Sequence, residues 1–122
     1  MNYDIAVVGG GCVGCSVAYH LTRETALDVW VIEKEHQLAS HQSGRNSGVL
    51  HPGFNYPPGS LKARFATAGT KQMKEYCATN GVPIEELGVL VVATNSEERA
   101  RLTELQGQAT ENGVETELLE NE

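Results

Sequence analysis

Residues 3–33 read YDIAVVGGGCVGCSVAYHLTRETALDVWVIE, and the order of residue types in this stretch decides the fold. A short apolar run, Ile5-Ala6-Val7-Val8, comes first and suits a buried strand. Gly9, Gly11 and Gly14 then give the G-x-G-x-x-G spacing, with Gly10, Cys12 and Val13 in the intervening slots. From Cys12 to about Arg23 the apolar positions Val13, Val17 and Leu21 recur every four residues, as on one face of a helix. A second apolar run, Val29-Trp30-Val31-Ile32, ends on Glu33. Strand, glycine turn, helix, strand and acid follow in that order, which is the fingerprint of a dinucleotide-binding βαβ unit.

Each position has a physical task. Gly9 allows a sharp exit from the strand, where a Cβ would clash. Gly11 lets a pyrophosphate approach the backbone, and Gly14 lets the helix lie close against the strands. The helix start offers unpaired N–H groups and a partial positive charge to phosphate. Glu33 stands at the end of the second strand, where a carboxylate accepts from the ribose hydroxyls of adenosine. It would repel a 2′-phosphate, so NADP is disfavoured. The glycine pattern by itself leaves FAD and NAD both open.

The chain has 122 residues, 40% of them apolar, enough for one small domain with an aliphatic core. No apolar run approaches the roughly 18 residues of a membrane span. The first strand begins directly after Met1, with no basic, apolar and cleavage regions before it, so a cytoplasmic location is expected. A net charge of −7 argues against nucleic acid as a partner. Cys12 and Cys15 form a C-x-x-C at the helix start, which could do thiol chemistry. The glycine pattern explains the same residues without thiols, and no ligand set for a metal accompanies them.

Beyond Glu33 the expected architecture is α/β and Rossmann-like, with a parallel sheet. Residues 34–59 form a long irregular stretch, KEHQLASHQSGRNSGVLHPGFNYPPG, which holds three of the four histidines and three of the four prolines. A loop of that length is expected to be functional. Ser60 reads as the N-cap of a helix running to about Thr79, with Asn80-Gly81 as its stop. Leu61, Phe65, Met73, Tyr76 and Cys77 are expected in the core. A strand is expected over 87–93, a helix over about 97–112, and a weak strand or extended segment over 114–119. A doubly wound cofactor domain needs more parallel strands than these, so an incomplete domain is expected, with the substrate domain largely absent.

Several segments together carry a likeness to a known family. GGGCVG at 9–14, Glu33-Lys34, HQSGRNSGVLHPG at 41–53 and YPPGSLKARF at 56–65 resemble the N-terminal part of FAD-dependent oxidoreductases of the D-amino-acid-oxidase type. The helix end from Cys77 to Gly81 fits as well. The glycine motif is shared by many flavoproteins, whereas the 41–65 segments are far more specific.

The resemblance implies FAD as cofactor and a 2-hydroxy dicarboxylate as substrate. The branch most resembled oxidises L-2-hydroxyglutarate to 2-oxoglutarate by hydride transfer to the flavin, with oxygen or a quinone as electron acceptor and contact with a membrane only at its periphery. It further implies that Gly9, Gly11 and Gly14 hold the pyrophosphate and that Glu33 binds ribose with Lys34 beside it. Gln42 and Ser43 would lie near the pyrophosphate, and Asn46, Ser47, Gly48 and Val49 would pass the isoalloxazine ring. Arg45 would balance phosphate or flavin charge. His51 would orient substrate, act as base, or carry the flavin covalently; a histidine satisfied within its own loop is the plain alternative. Amino acids, sarcosine-like amines and glycerol 3-phosphate are alternative substrates on the same scaffold. A dinucleotide-binding module without turnover is the non-enzymatic alternative.

Overall fold

A computed structural model describes residues 2–119. The elements are β1 (Ile5–Val8), α1 (Cys12–Glu24), β2 (Val29–Ile32), a single 3-10 turn (Gln42–Gly44), α2 (Leu61–Asn80) and α3 (Ser96–Glu111). The chain divides into two units, one ending at Val49 and the other starting at Leu50.

The first unit is the βαβ expected from residues 3–33. β1 and β2 pair in parallel, with Ile5 opposite Val29 and Val8 opposite Ile32. α1 packs on both strands. The join is extended at each end: Asp4 and Ile5 both donate to the Asp28 carbonyl, and Gly9 donates to Ile32 O at 2.8 Å. Tyr3 stacks on Trp30 at a centroid distance of 5.0 Å.

The close fit of α1 depends on Gly14. A Cβ there would lie 1.9 Å from the Gly9 carbonyl oxygen, a backbone atom that cannot move aside without opening the turn. Gly9 itself has φ +105°, a conformation that favours glycine. The helix ends at Thr25, whose N–H and hydroxyl both return to Leu21 O. Arg23 in the last turn complements the negative helix end.

The second unit contains two helices with well-formed caps. The Ser60 hydroxyl oxygen accepts from the Ala63 N–H at 3.1 Å, as its N-cap reading requires. α2 stops at Gly81, which takes the left-handed conformation at φ 66° and donates to Cys77 O. α3 begins with a reciprocal arrangement. Asn95 Oδ1 accepts from the Glu98 N–H, while Glu98 Oε2 accepts from the N–H and hydroxyl of Thr94.

Two expectations for this unit change. The strand expected over 87–93 is not formed, and residues 82–94 carry no regular secondary structure. Residues 114–119, expected as a weak strand or an extended segment, form no strand. The 87–93 segment is rich in Val and Leu, but a strand exists only when a neighbour supplies the ladder, and none of the described residues does so. The packing expectation for α2 is also corrected. Cys77 is buried, but Leu61 and Phe65 are 64% and 62% exposed. The apolar stripe is present, yet the described residues bring nothing to cover it.

Candidate functional site

The glycine turn of the first unit is crossed by the loop that follows β2. The Ala39 N–H donates to the Gly10 carbonyl at 3.0 Å. Glu33 Oε2 accepts from the Gly10 N–H at 2.6 Å, and Ser43 Oγ accepts from the Cys12 N–H at 2.8 Å. Between turn and loop lies a concavity of about 180 Å³, lined by Gly11, Glu33, Ala39, Ser40, His41, Gln42 and Ser43.

The absence of a side chain shapes this concavity. A Cβ on Gly11 would stand 3.0 Å from Ser43 Oγ, and one on Gly10 would meet Leu38 Cδ2 at 2.4 Å. Gly10 is buried beneath the loop. Gly44 allows the same closeness on the other side, since its Cβ would fall 2.3 Å from Ala39 O. Ala39 takes φ 59°, the sole positive φ of a non-glycine among the described residues. Such a conformation costs energy and persists where surrounding contacts impose it. Here the bond to Gly10 O and the fit of Gly44 do so.

The donor set suits a diphosphate. The first intrahelical bond of α1 runs from the Cys15 N–H to Gly11 O. That leaves the N–H groups of Cys12, Val13 and Gly14 as the unpaired first turn. Cys12 uses Ser43; Val13 and Gly14 have no acceptor among the described residues. The first turn of α1 carries no acidic residue, whereas that of α3 holds Glu97 and Glu98. The positive end of α1 is therefore left for an external anion. A hydroxyl is one donor and two acceptors, so Ser43 can accept from Cys12 and still donate to a phosphate oxygen.

Glu33 points into this arrangement. Its two carboxylate oxygens accept from the N–H groups of Glu35, at 3.0 Å, and Gly10. The Glu35 N–H, followed by that of Gly10, holds its carboxyl below the usual carboxylate range, so it is ionised at neutral pH. An ionised carboxylate has about four lone-pair sites. Two are taken, and two remain for a pair of adjacent hydroxyls.

The remaining candidates separate into groups. Gln42 lines the concavity. Asn46 braces the turn above it, donating to Gln42 O and Ser43 O while accepting from the Gly48 N–H at 2.7 Å. Lys34 projects to solvent beside Glu35, at 3.5 Å. Arg45, Ser47 and Val49 are exposed. Val13 is 78% exposed at the mouth of the turn, and Cys12 and Cys15 are free thiols. His51 belongs to the second unit, where its carbonyl accepts from the Thr70 hydroxyl at 2.8 Å. The structure thus brings together Gly10, Gly11, Cys12, Glu33, Gln42 and Ser43.

Leu38, Ala39 and Ser40 were not legible as site residues. Their side chains carry no distinctive chemistry, and their place follows from a backbone bond to Gly10. His41, which also lines the concavity, pairs with Glu35 Oε1 at 2.8 Å.

Residues 4–122 match the family described as FAD dependent oxidoreductase, DAO. The chain belongs to this family. It is 46% identical over 113 residues to the mitochondrial L-2-hydroxyglutarate dehydrogenase of Dictyostelium discoideum, covering 92% of this chain and 25% of that protein. It is 44% identical to the human mitochondrial enzyme of the same name, covering 93% of this chain and 25% of the other. With the Escherichia coli K12 L-2-hydroxyglutarate dehydrogenase the identity is 41%, over 96% and 28% respectively. The chain spans about a quarter of the length of these relatives. The DAO family is FAD-dependent, which resolves the choice between FAD and NAD that the glycine motif left open. None of the described helices is long and apolar enough to cross a membrane.

Proposed function

We propose that this chain carries the cofactor-binding turn of an enzyme that oxidises L-2-hydroxyglutarate to 2-oxoglutarate. The observation that carries the reading is the shared name of relatives 41–46% identical across nearly all of these residues. Bound FAD would supply the two-electron acceptor for that oxidation.

In this reading Gly9, Gly10, Gly11 and Gly14 keep the turn bare, and the amides of Val13 and Gly14 donate to the diphosphate. The Ser43 hydroxyl adds one donor, and Gln42 stands beside it. Glu33 accepts from the adenosine ribose. Asn46 holds the loop so that Ser47, Gly48 and Val49 can run along the flavin ring. Arg45 and Lys34 supply positive charge at the rim to a chain that is otherwise acidic. His51 takes the hydroxyl proton of the substrate: an imidazole suits proton transfer near neutral pH, and of the loop's three histidines His51 is the one that ends the segment passing the flavin in this reading. The substrate domain lies outside this chain, and oxygen or a quinone receives the electrons. The cytoplasmic location expected from the sequence is kept; the eukaryotic relatives bear the name mitochondrial, and fractionation of source cells decides.

Dye reduction by the full-length protein tests the substrate. L-2-hydroxyglutarate should drive reduction while its D isomer, amino acids and glycerol 3-phosphate do not. Reduction by amino acids alone would transfer the protein to the amine-oxidising side of the family. Bound flavin with no reduction by any of them would leave a binding module.

A further inference from the structure

We propose that Asn112, at the end of α3, is a positioning residue for the turn that carries His51. The inference rests on the reading of His51 as the substrate base. The two N–H bonds of the Asn112 amide go to two backbone carbonyls, Gly53 O at 3.0 Å and Tyr56 O at 2.9 Å. Those partners lie 59 and 56 residues away in sequence, and both bonds are partly shielded from water. A carboxamide offers two donors on one nitrogen, so Asn112 spends its whole donor capacity on this turn.

Both sides of the clamp are fixed. The turn itself is closed by a Tyr56 N–H to Gly53 O bond. Gly53 is buried with φ +86°, and a Cβ on it would stand 2.9 Å from Ala66 Cβ on α2. Thr70 holds the His51 carbonyl at 2.8 Å. Thr67 adds less to Pro52: its one proton has Ala63 O at 2.9 Å, Pro52 O at 3.2 Å and Asn112 O at 3.5 Å to choose among. On the other side, the Asn112 N–H caps Gln108 O, and the Val114 N–H returns to Ala109 O, beside the fully buried Ala109. The backbone from 51 to 56 is therefore held by side chains of two helices. Removing Asn112 leaves the Tyr56 carbonyl without its donor and the Gly53 carbonyl with only the 3.3 Å bond from the Tyr56 N–H, and the turn must move toward water to satisfy them. His51 lies two residues from Gly53 and moves with it. A displacement of about 1 Å at a reacting group can lower turnover by about a hundredfold.

The test compares Asn112→Ala in wild-type and His51→Ala backgrounds of the full-length protein. Turnover with L-2-hydroxyglutarate, bound flavin and His51 carbethoxylation by diethyl pyrocarbonate are measured. Alone, Asn112→Ala should lower kcat about tenfold with bound flavin unchanged and change the carbethoxylation rate of His51. In the His51→Ala background it should lower kcat no further, because the residue it positions is gone. An equal loss in both backgrounds, or none in the wild type, overturns the proposal. Wild-type turnover in His51→Ala itself would sink the reading of His51 as base; carbethoxylation then decides whether Asn112 holds that turn, an unchanged rate refuting it. Should Asn112→Ala not fold, Asn112→Ser keeps one donor at the site and is expected to give a smaller loss in the same direction.

Discussion

Glu33 accepts two backbone N–H groups, from Glu35 and Gly10, and those bonds lower its pKa from 4.5. A carboxyl depressed in the folded state adds stability that is present above its unfolded pKa and lost as pH falls through the folded value. Acid titration of the first unit, followed through Trp30 fluorescence, should therefore show the β2 end losing this contribution only as pH falls below the ordinary carboxylate range. Glu33→Gln should remove that acid-dependent step; an identical profile would mean the bonds do not matter. Gly14→Ala is expected to be the most damaging of the glycine substitutions, since its Cβ meets backbone at 1.9 Å. Overpacking of this kind costs about 1–3 kcal/mol, and more where backbone must shift. Gly10→Ala meets side chains and not backbone, Leu38 Cδ2 at 2.4 Å and Glu33 Oε2 and Cβ at 3.1 and 3.2 Å, and should cost less. Thermal unfolding with flavin content checks that order, and equal losses would contradict it. At this scale the sequence was informative where a residue type is chemically singular. Gly9, Gly11, Gly14 and Glu33 could be read directly, whereas Ala39, which donates by its backbone alone, could not.

The elements follow from local signals wherever those signals are complete. Ser60 and Gly81 bound α2, Asn95 starts α3, and the structure places each at its cap. Ser60→Ala and Asn95→Ala should each cost about 1 kcal/mol, measured by urea unfolding of the full-length protein. No loss would mean the helices are held by packing alone. Gly81→Ala should cost about as much, because alanine is poorly suited to φ 66°. The strand expected at 87–93 failed for an instructive reason. Its residues are rich in Val and Leu as strand residues are, but β structure also requires a partner, and partnership is not written in the segment itself. β1 and β2 were legible because the intervening helix brings each to the other within thirty residues.

For the whole chain, buried area sets the limit. Among the described residues the buried apolar side chains are Ala63, Cys77 and Ala109, and Leu87, Leu90 and Val92 stand in solvent. Such a core cannot offset the ordering of the backbone, so the 122 residues alone should melt without a sharp transition and bind a hydrophobic dye. A sharp, dye-free transition would contradict this. What the covering surface would be is invisible in these residues, for the same reason that the 87–93 strand is. The most direct test of the cofactor site is titration of the full-length apoprotein with FAD, in wild type and Glu33→Gln. Loss of the charged acceptor should weaken binding by about 10- to 100-fold. An unchanged affinity would show that Glu33 does not hold the cofactor and would remove the basis for placing FAD in this turn.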